Sequence, residues 1–161
     1  MNAILITGGG PEGITLHGFG PAALASGDSN AAAVGDFDGD RHADVAIPAT
    51  NKGTVTIYRG DGFGNFSKVK KYTTGNFAFS TVATDFDRDG KLDLVVTRMP
   101  SGVMVLLGDG HGRFKPGPSF LAGVQPFRLA LGDFDRDGVA DLGVLNYESH
   151  DVTVLPARCG N

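Results

Sequence analysis

The chain repeats itself, and the repeat limits what it can fold into. Three nine-residue acidic windows, Asp36-Phe-Asp-Gly-Asp-Arg-His-Ala-Asp44, Asp85-Phe-Asp-Arg-Asp-Gly-Lys-Leu-Asp93 and Asp133-Phe-Asp-Arg-Asp-Gly-Val-Ala-Asp141, begin 49 and then 48 residues apart. A second landmark keeps that period: Gly60-Asp-Gly-Phe-Gly-Asn-Phe66 returns as Gly108-Asp-Gly-His-Gly-Arg-Phe114, with Gly8-Gly-Gly-Pro-Glu-Gly-Ile14 as a degenerate earlier copy. Self-similarity at this length marks propellers and solenoids, whose units bury their apolar faces against one another.

Inside one period, four apolar stretches of strand length alternate with turns; in the middle copy they are Ser80–Thr84, Leu92–Thr97, Val103–Leu107 and about Arg113–Phe120. We label them strands A to D. Val, Ile, Leu and Thr dominate B and C, Gly, Asp and Pro bound them, and no window carries a helical apolar stripe. A repeated four-stranded antiparallel unit of about 48 residues describes a propeller blade, so the expected fold class is all-β.

The whole chain, 1–161, reads as a single repeat domain. Its expected parts are a partial blade at 1–21 (a C–D hairpin from Ile4–Thr7 and Ile14–Phe19), blades at 22–72 and 73–120, and a partial blade at 121–161 with strands A to C. That total falls short of a ring of about 4–8 blades. The expectation is therefore either a piece of a longer chain, or a homo-oligomer in which one copy's N-terminal D strand closes another's last blade.

Composition narrows the partners. Only Glu12 and Glu148 of the 18 acidic residues are Glu, and 12 of the 16 Asp lie in the three windows, so the net charge of −4 is a local property. One divalent cation per window would bring it to about +2. No basic stripe with interleaved aromatics suggests nucleic acid. The single Cys159 excludes an intrachain disulfide framework. No apolar run approaches membrane-spanning length, and the first residues lack a basic start, so no membrane insertion is expected and an export signal would have been removed or lie upstream.

Each acidic window joins strands A and B, which fixes both its ends. Oxygens from positions 1, 3 and 5 converge on one side, a backbone carbonyl at position 7 adds another, and the carboxylate at position 9 closes the cage. An all-oxygen, high-coordination set with up to four carboxylates suits Ca²⁺ better than Mg²⁺ or Zn²⁺. Without a cation, the carboxylates would repel and raise one another's pKa. The EF-hand loop is rejected, because the flanks are strands and position 12 is Ile47, Val96 or Val144 instead of Glu. The alternative is a set of metal-free Asx-turns, which three copies in register do not require. Gly90 and Gly138 stand where the chain turns sharply; the first window has Arg41 there and Gly39 two residues earlier, so a weaker or differently shaped site is expected.

Together, the windows and the Gly-Asp-Gly-x-Gly-x-Phe hairpins resemble the FG-GAP (VCBS-like) repeats of integrin α-subunit propellers, bacterial surface proteins and certain fungal lectins. The resemblance spans nearly all of the chain. It implies Ca²⁺, about three per chain, on Asp36, Asp38, Asp40 and Asp44, on Asp85, Asp87, Asp89 and Asp93, and on Asp133, Asp135, Asp137 and Asp141. The carbonyls of His42, Lys91 and Val139 would be the seventh-position ligands. It also implies about six to eight blades in the full ring. The integrin-type Phe-Gly…Gly-Ala-Pro signature is only loosely present, which places the chain nearer the bacterial branch.

Little else offers chemistry. His17, His42, His111 and His150 fall in different units without partner spacing, and Cys159 has no paired His motif. No helix follows the Gly-Asp-Gly runs, so they read as C–D hairpins and not phosphate cradles, with Phe66 and Phe114 packing between blades. Phe37, Phe86 and Phe134 read as core anchors. With two Glu and scattered His, an enzyme is not expected. A–B and C–D loops share one face. The other carries the B–C loops (Pro48–Gly53, Arg98–Gly102, Asn146–Asp151) and the D–A loops with Asn76, Phe77, Phe79, Gln125 and Phe127. Aromatics beside amides suit a protein or glycan ligand. The expected function is an extracellular or cell-surface binding, adhesion or scaffold module with structural calcium; the alternatives are a lectin using inter-blade pockets, or a propeller fragment or engineered half-propeller without an independent role.

Overall fold

The computed structural model describes residues 5–7, 15–17 and 31–157. Each sheet is an antiparallel meander in which strands adjacent in sequence are adjacent in space. Strands β1 (Leu5–Thr7) and β2 (Thr15–His17) pair as a hairpin. The first full blade holds β3 (Ala33–Gly35), β4 (Asp44–Ala49), β5 (Thr54–Gly60) and β6 (Phe66–Thr73). The second holds β7 (Thr81–Thr84), β8 (Asp93–Thr97), β9 (Ser101–Gly108) and β10 (Phe114–Val124). The third has β11 (Pro126–Gly132), β12 (Asp141–Asn146) and β13 (Asp151–Leu155). The protein is thus all-β and made of propeller blades, and the sheets of the described residues do not close into a ring.

Period-two alternation explains how the blades stack. Successive strand side chains point to opposite faces, so a strand sandwiched between neighbouring sheets is apolar at every position. Strand β8 is buried throughout. Its Leu94 and Val96 join Ala46, Val55, Ile57 and Tyr72 of the first blade in one core, while Val95 joins Leu142 and Val144 of the third in another. Each fully buried Val or Leu contributes about 1.5–3 kcal/mol. A residue deleted from β8 would exchange the two faces and disrupt both cores at once.

The A strands meet at equivalent positions of the repeat. Ala31 forms a parallel bridge with Ser80, and the Ser80 hydroxyl accepts the Leu129 N–H at 3.3 Å. On one face, the Gly112 N–H of a C–D hairpin donates to the Phe37 carbonyl in the A–B loop of the preceding blade. On the other, D–A residues meet the next B–C loop: Met99 N–H donates to the Asn76 carbonyl and Tyr147 N–H to the Gln125 carbonyl. The loops therefore divide between two faces as the strand order requires.

Two features depart from the sequence reading. Strand D of the second blade continues to Val124 instead of stopping near Phe120, because bulges between Pro116 and Ser119 and between Phe120 and Val124 let it follow β9 further. Phe134 is 55% exposed, whereas its counterpart Phe37 is 2% exposed. Phe37 is covered by Phe114 of the next blade, with ring centroids 5.6 Å apart, and Phe134 lies on the outer face of the third blade. That face also exposes Leu145, Val152 and Val154. Phe114 packs between blades as expected, reaching Tyr72 edge-on at 5.7 Å and donating its N–H to the Tyr72 hydroxyl at 3.0 Å. Phe66 packs with Val45, Ile47 and Tyr58 on the first blade's opposite face, and Phe86 is half-buried between the second and third blades.

Candidate metal centre

Each acidic loop hangs between fixed points. The ninth-position Asp opens strand B opposite the last residue of strand A: Gly35 with Asp44, Thr84 with Asp93, and Gly132 with Asp141. All three carboxylates are 1% exposed. Each bridges the first turn of its own loop to the end of strand C. Asp44 accepts from the N–H groups of Phe37 (2.9 Å) and Gly60 (3.0 Å), Asp93 from Phe86 (2.9 Å) and Gly108 (2.7 Å), and Asp141 from Phe134 (2.9 Å) and Ala157 (2.8 Å). Position 9 is therefore a structural clamp as well as a candidate ligand. The clamp needs close backbone approach, for a Cβ on Gly60 or Gly108 would collide with the carbonyl oxygen of Ala43 or Leu92.

The remaining carboxylates are ordered by backbone N–H groups within the loop. In the second and third loops, the first Asp accepts from the Asp and Gly four and five residues on: Asp85 from Asp89 and Gly90, and Asp133 from Asp137 and Gly138, all between 2.9 and 3.1 Å. The backbone turns left-handed twice, at Arg88 and Gly90 and at Arg136 and Gly138. In the first loop Gly39 and Arg41 hold the same two positions with φ of 79° and 68°. The exchanged Gly and Arg thus keep the left-handed pair of positions, while Asp36 takes its Oδ1 hydrogen bond from Gly39 at position 4 instead of from the Asp at position 5.

Carboxylate oxygens converge in every loop. Those of Asp85, Asp87 and Asp93 lie within 4.8 Å of one another, as do those of Asp133, Asp135 and Asp141 and those of Asp36, Asp38 and Asp40. Asp89 and Asp137 fall outside their trios, and so does Asp44. Three converging carboxylates backed by a rigid strand junction fit a hard divalent cation with an oxygen-rich shell.

The electrostatics differ between loops. Burial pushes the Asp44 and Asp93 carboxyls up, against the pull of their backbone N–H partners. Asp141 is held down by the N–H groups of Ala157 and Phe134. Asp89 is held down by Lys91, whose Nζ lies 2.7 Å from it. The largest perturbation is in the first loop. The Arg59 guanidinium at the end of strand C spans Asp38 (Nε–Oδ2 2.7 Å) and Asp40 (Nη2–Oδ2 2.7 Å), and it holds Asp40 down at about 2.

The Gly-Asp-Gly hairpins carry no trio. Asp61 accepts from the N–H groups of Phe63 and Asn65, and Asp109 from those of His111 and Arg113, so these are Asx-type turns joining C to D. A family model of the FG-GAP-like repeat matches residues 36–96 and 85–144, more than half of the chain. The chain belongs to the FG-GAP-like repeat family. In both matches an acidic loop stands at the start, so the family's pattern and the converging carboxylates coincide. No curated protein matches this FG-GAP-like chain across its sequence.

The opposite face carries a row of rings. Phe77 stacks on Phe79 (centroids 6.5 Å), Phe79 meets Phe127 (5.4 Å), and Phe127 meets Tyr147 (6.0 Å), with the Arg128 guanidinium 4.9 Å above the Phe127 ring. Phe77, Phe79 and Phe127 were identifiable as D–A loop aromatics; Tyr147 was hidden inside a B–C loop. Arg59 was missed too. The signal was present, because the residue preceding the clamp donor is Arg59 in the first blade, Leu107 in the second and Pro156 in the third.

Proposed function

We propose that the chain is a Ca²⁺-stabilised propeller module that binds a partner and catalyses nothing, with its metals on one face and its partner surface on the other. The observation that carries the metal reading is the convergence of Asp85, Asp87 and Asp93, repeated by Asp133, Asp135 and Asp141, beside a rigid strand junction. Asp89 and Asp137, with the carbonyls of Lys91 and Val139, complete the proposed shells; in the first loop Asp36, Asp38, Asp40 and Asp44 with the His42 carbonyl are the corresponding set. Calcium there supplies charge neutralisation and a tie between strands A and B. The chain's own residues supply the frame: backbone N–H groups aim the carboxylates, and the ninth-position clamp fixes the loop to strand C. Such sites can be as weak as about 10⁻⁴–10⁻³ M and still be filled outside cells, where we place the protein. No helix among the described residues is long and apolar enough to cross a membrane.

The blade ranges 1–21, 22–72, 73–120 and 121–161 are proposed on the repeat period. The exposed apolar face of the third blade, with Phe134, Leu145, Val152 and Val154, supports its covering by a further blade, either of a longer chain or of a second copy. Isothermal titration with Ca²⁺ tests the metal reading, with Mg²⁺ as control. The wild type binds Ca²⁺ in preference to Mg²⁺, and the double substitution Asp85→Asn with Asp87→Asn removes one site. No Ca²⁺ heat, or an unchanged stoichiometry in the variant, overturns the reading.

The row of rings favours glycan over protein as the partner class in a second reading, because Phe77 and Tyr147 are 45% and 68% exposed beside the Gln125–Glu148 pair. A glycan array read with wild type and Tyr147→Ala decides it. Binding lost in the variant supports a lectin, and the absence of any bound glycan returns the surface to protein contacts.

A further inference from the structure

We propose that the Arg59 guanidinium is the resident cation of the first loop, so that the chain carries two open Ca²⁺ loops and one self-closed loop that metal enters only by displacing the arginine. The proposal rests on the calcium reading above and sharpens it from three equivalent sites to two plus one.

Three observations bear on it. Arg59 makes two contacts of 2.7 Å with different carboxylates of one loop, Asp38 and Asp40. The planar fork of a guanidinium matches paired carboxylate oxygens and keeps its charge at any working pH. The composition of the converging trio also differs. In the second and third loops it is positions 1, 3 and 9, whereas in the first it is positions 1, 3 and 5, with Asp40 drawn in and Asp44 left out. Asp40 is the carboxylate that shares Arg59, and the 12% and 23% side-chain exposures of Asp38 and Asp40 show a partly closed pair.

The other loops have no such device at that position. Leu107 and Pro156 precede the clamp donors Gly108 and Ala157, and neither carries charge. Arg88, next to Asp87 in sequence, donates to the Ala157 carbonyl of the third blade, and Lys91 pairs with Asp89, which lies outside the second trio. A flexible single-point ammonium on an outlying carboxylate obstructs less than a two-pronged guanidinium across the cage. The backbone is left-handed at positions 4 and 6 in all three loops, so the expected difference in metal response is assigned to the residue at the end of strand C.

The test is a Ca²⁺ titration of the full chain followed by amide NMR, because glycine amides report the loops separately: Gly39 for the first, Gly90 for the second and Gly138 for the third. In the wild type, Gly90 and Gly138 should shift together, and Gly39 should need about tenfold more Ca²⁺, a difference of about 1.4 kcal/mol. In Arg59→Leu, which copies Leu107, the three midpoints should converge to within about threefold. Arg59 is 52% exposed, so the variant should fold; Arg59→Gln, neutral and nearly as long, repeats the test if it does not. Gly39 titrating with the others in the wild type, or an unmoved Gly39 midpoint in the folded variants, overturns the proposal. No shift in any loop would refute the calcium reading itself.

Discussion

Replacing Asp93 by Ala should destabilise the protein even when no metal is present. The carboxylate is 1% exposed and accepts two backbone N–H groups, Phe86 at 2.9 Å and Gly108 at 2.7 Å. Alanine leaves both donors buried without an acceptor, at about 1–3 kcal/mol each. Burial already pushes the Asp93 carboxyl up, so its desolvation offsets part of that gain. The net loss should be about 2–4 kcal/mol, a large share of the about 5–15 kcal/mol that holds a domain folded. Urea unfolding in chelator measures it, and a variant midpoint equal to wild type with unchanged slope would refute the clamp. Asp93→Asn retains one acceptor oxygen and should lose about half as much in chelator. With Ca²⁺ present both losses should grow, since the proposed ligand disappears as well.

Phe114→Ala should cost about 3–5 kcal/mol by emptying the space between Phe37 and Tyr72, whereas Phe63→Ala at the 81%-exposed hairpin tip should change denaturation by no more than about 0.5 kcal/mol. Gly108→Ala should destabilise by about 1–3 kcal/mol in thermal unfolding, because the new methyl meets the Leu92 carbonyl. Asp40, held at about 2 by Arg59, adds stability that is full above its ordinary value of 3.8 and is lost as pH falls through about 2; carbon NMR of Arg59→Leu should show its titration returning toward 3.8. Light scattering should find a discrete oligomer if copies cover the face of Leu145, Val152 and Val154, and Val152→Asp should then yield monomer.

Much of this fold was legible because the information is local and repeated. Strand order, the hairpins and the acidic loops all lie within single periods of the chain, and the strand B runs at Val45–Ile47 and Leu94–Val96 announce burial on both faces. What depends on a neighbour was not legible. Phe37 and Phe134 occupy the same position in their loops, yet one is covered by Phe114 and the other is exposed. The second role of Asp44, Asp93 and Asp141 was hidden for a related reason: their N–H partners at the end of strand C lie 15 or 16 residues away and meet them only once B and C pair. Arg59 needed the same pairing to reach Asp38 and Asp40, although aligning the repeats would have flagged a charge where Leu107 and Pro156 stand. The bulges that extend β10 leave no clear mark in composition.

The central claim is that calcium bound in the A–B loops stabilises the folded chain, and calorimetric melting with Ca²⁺ and then with chelator tests it most directly. Two sites at about 100 times their dissociation constant contribute about 2.7 kcal/mol each, which for a chain of this size corresponds to a shift of about 10–20 °C. The account predicts a fall of that order on chelation, restored by adding Ca²⁺ back; a melting curve that is the same in both conditions would contradict it.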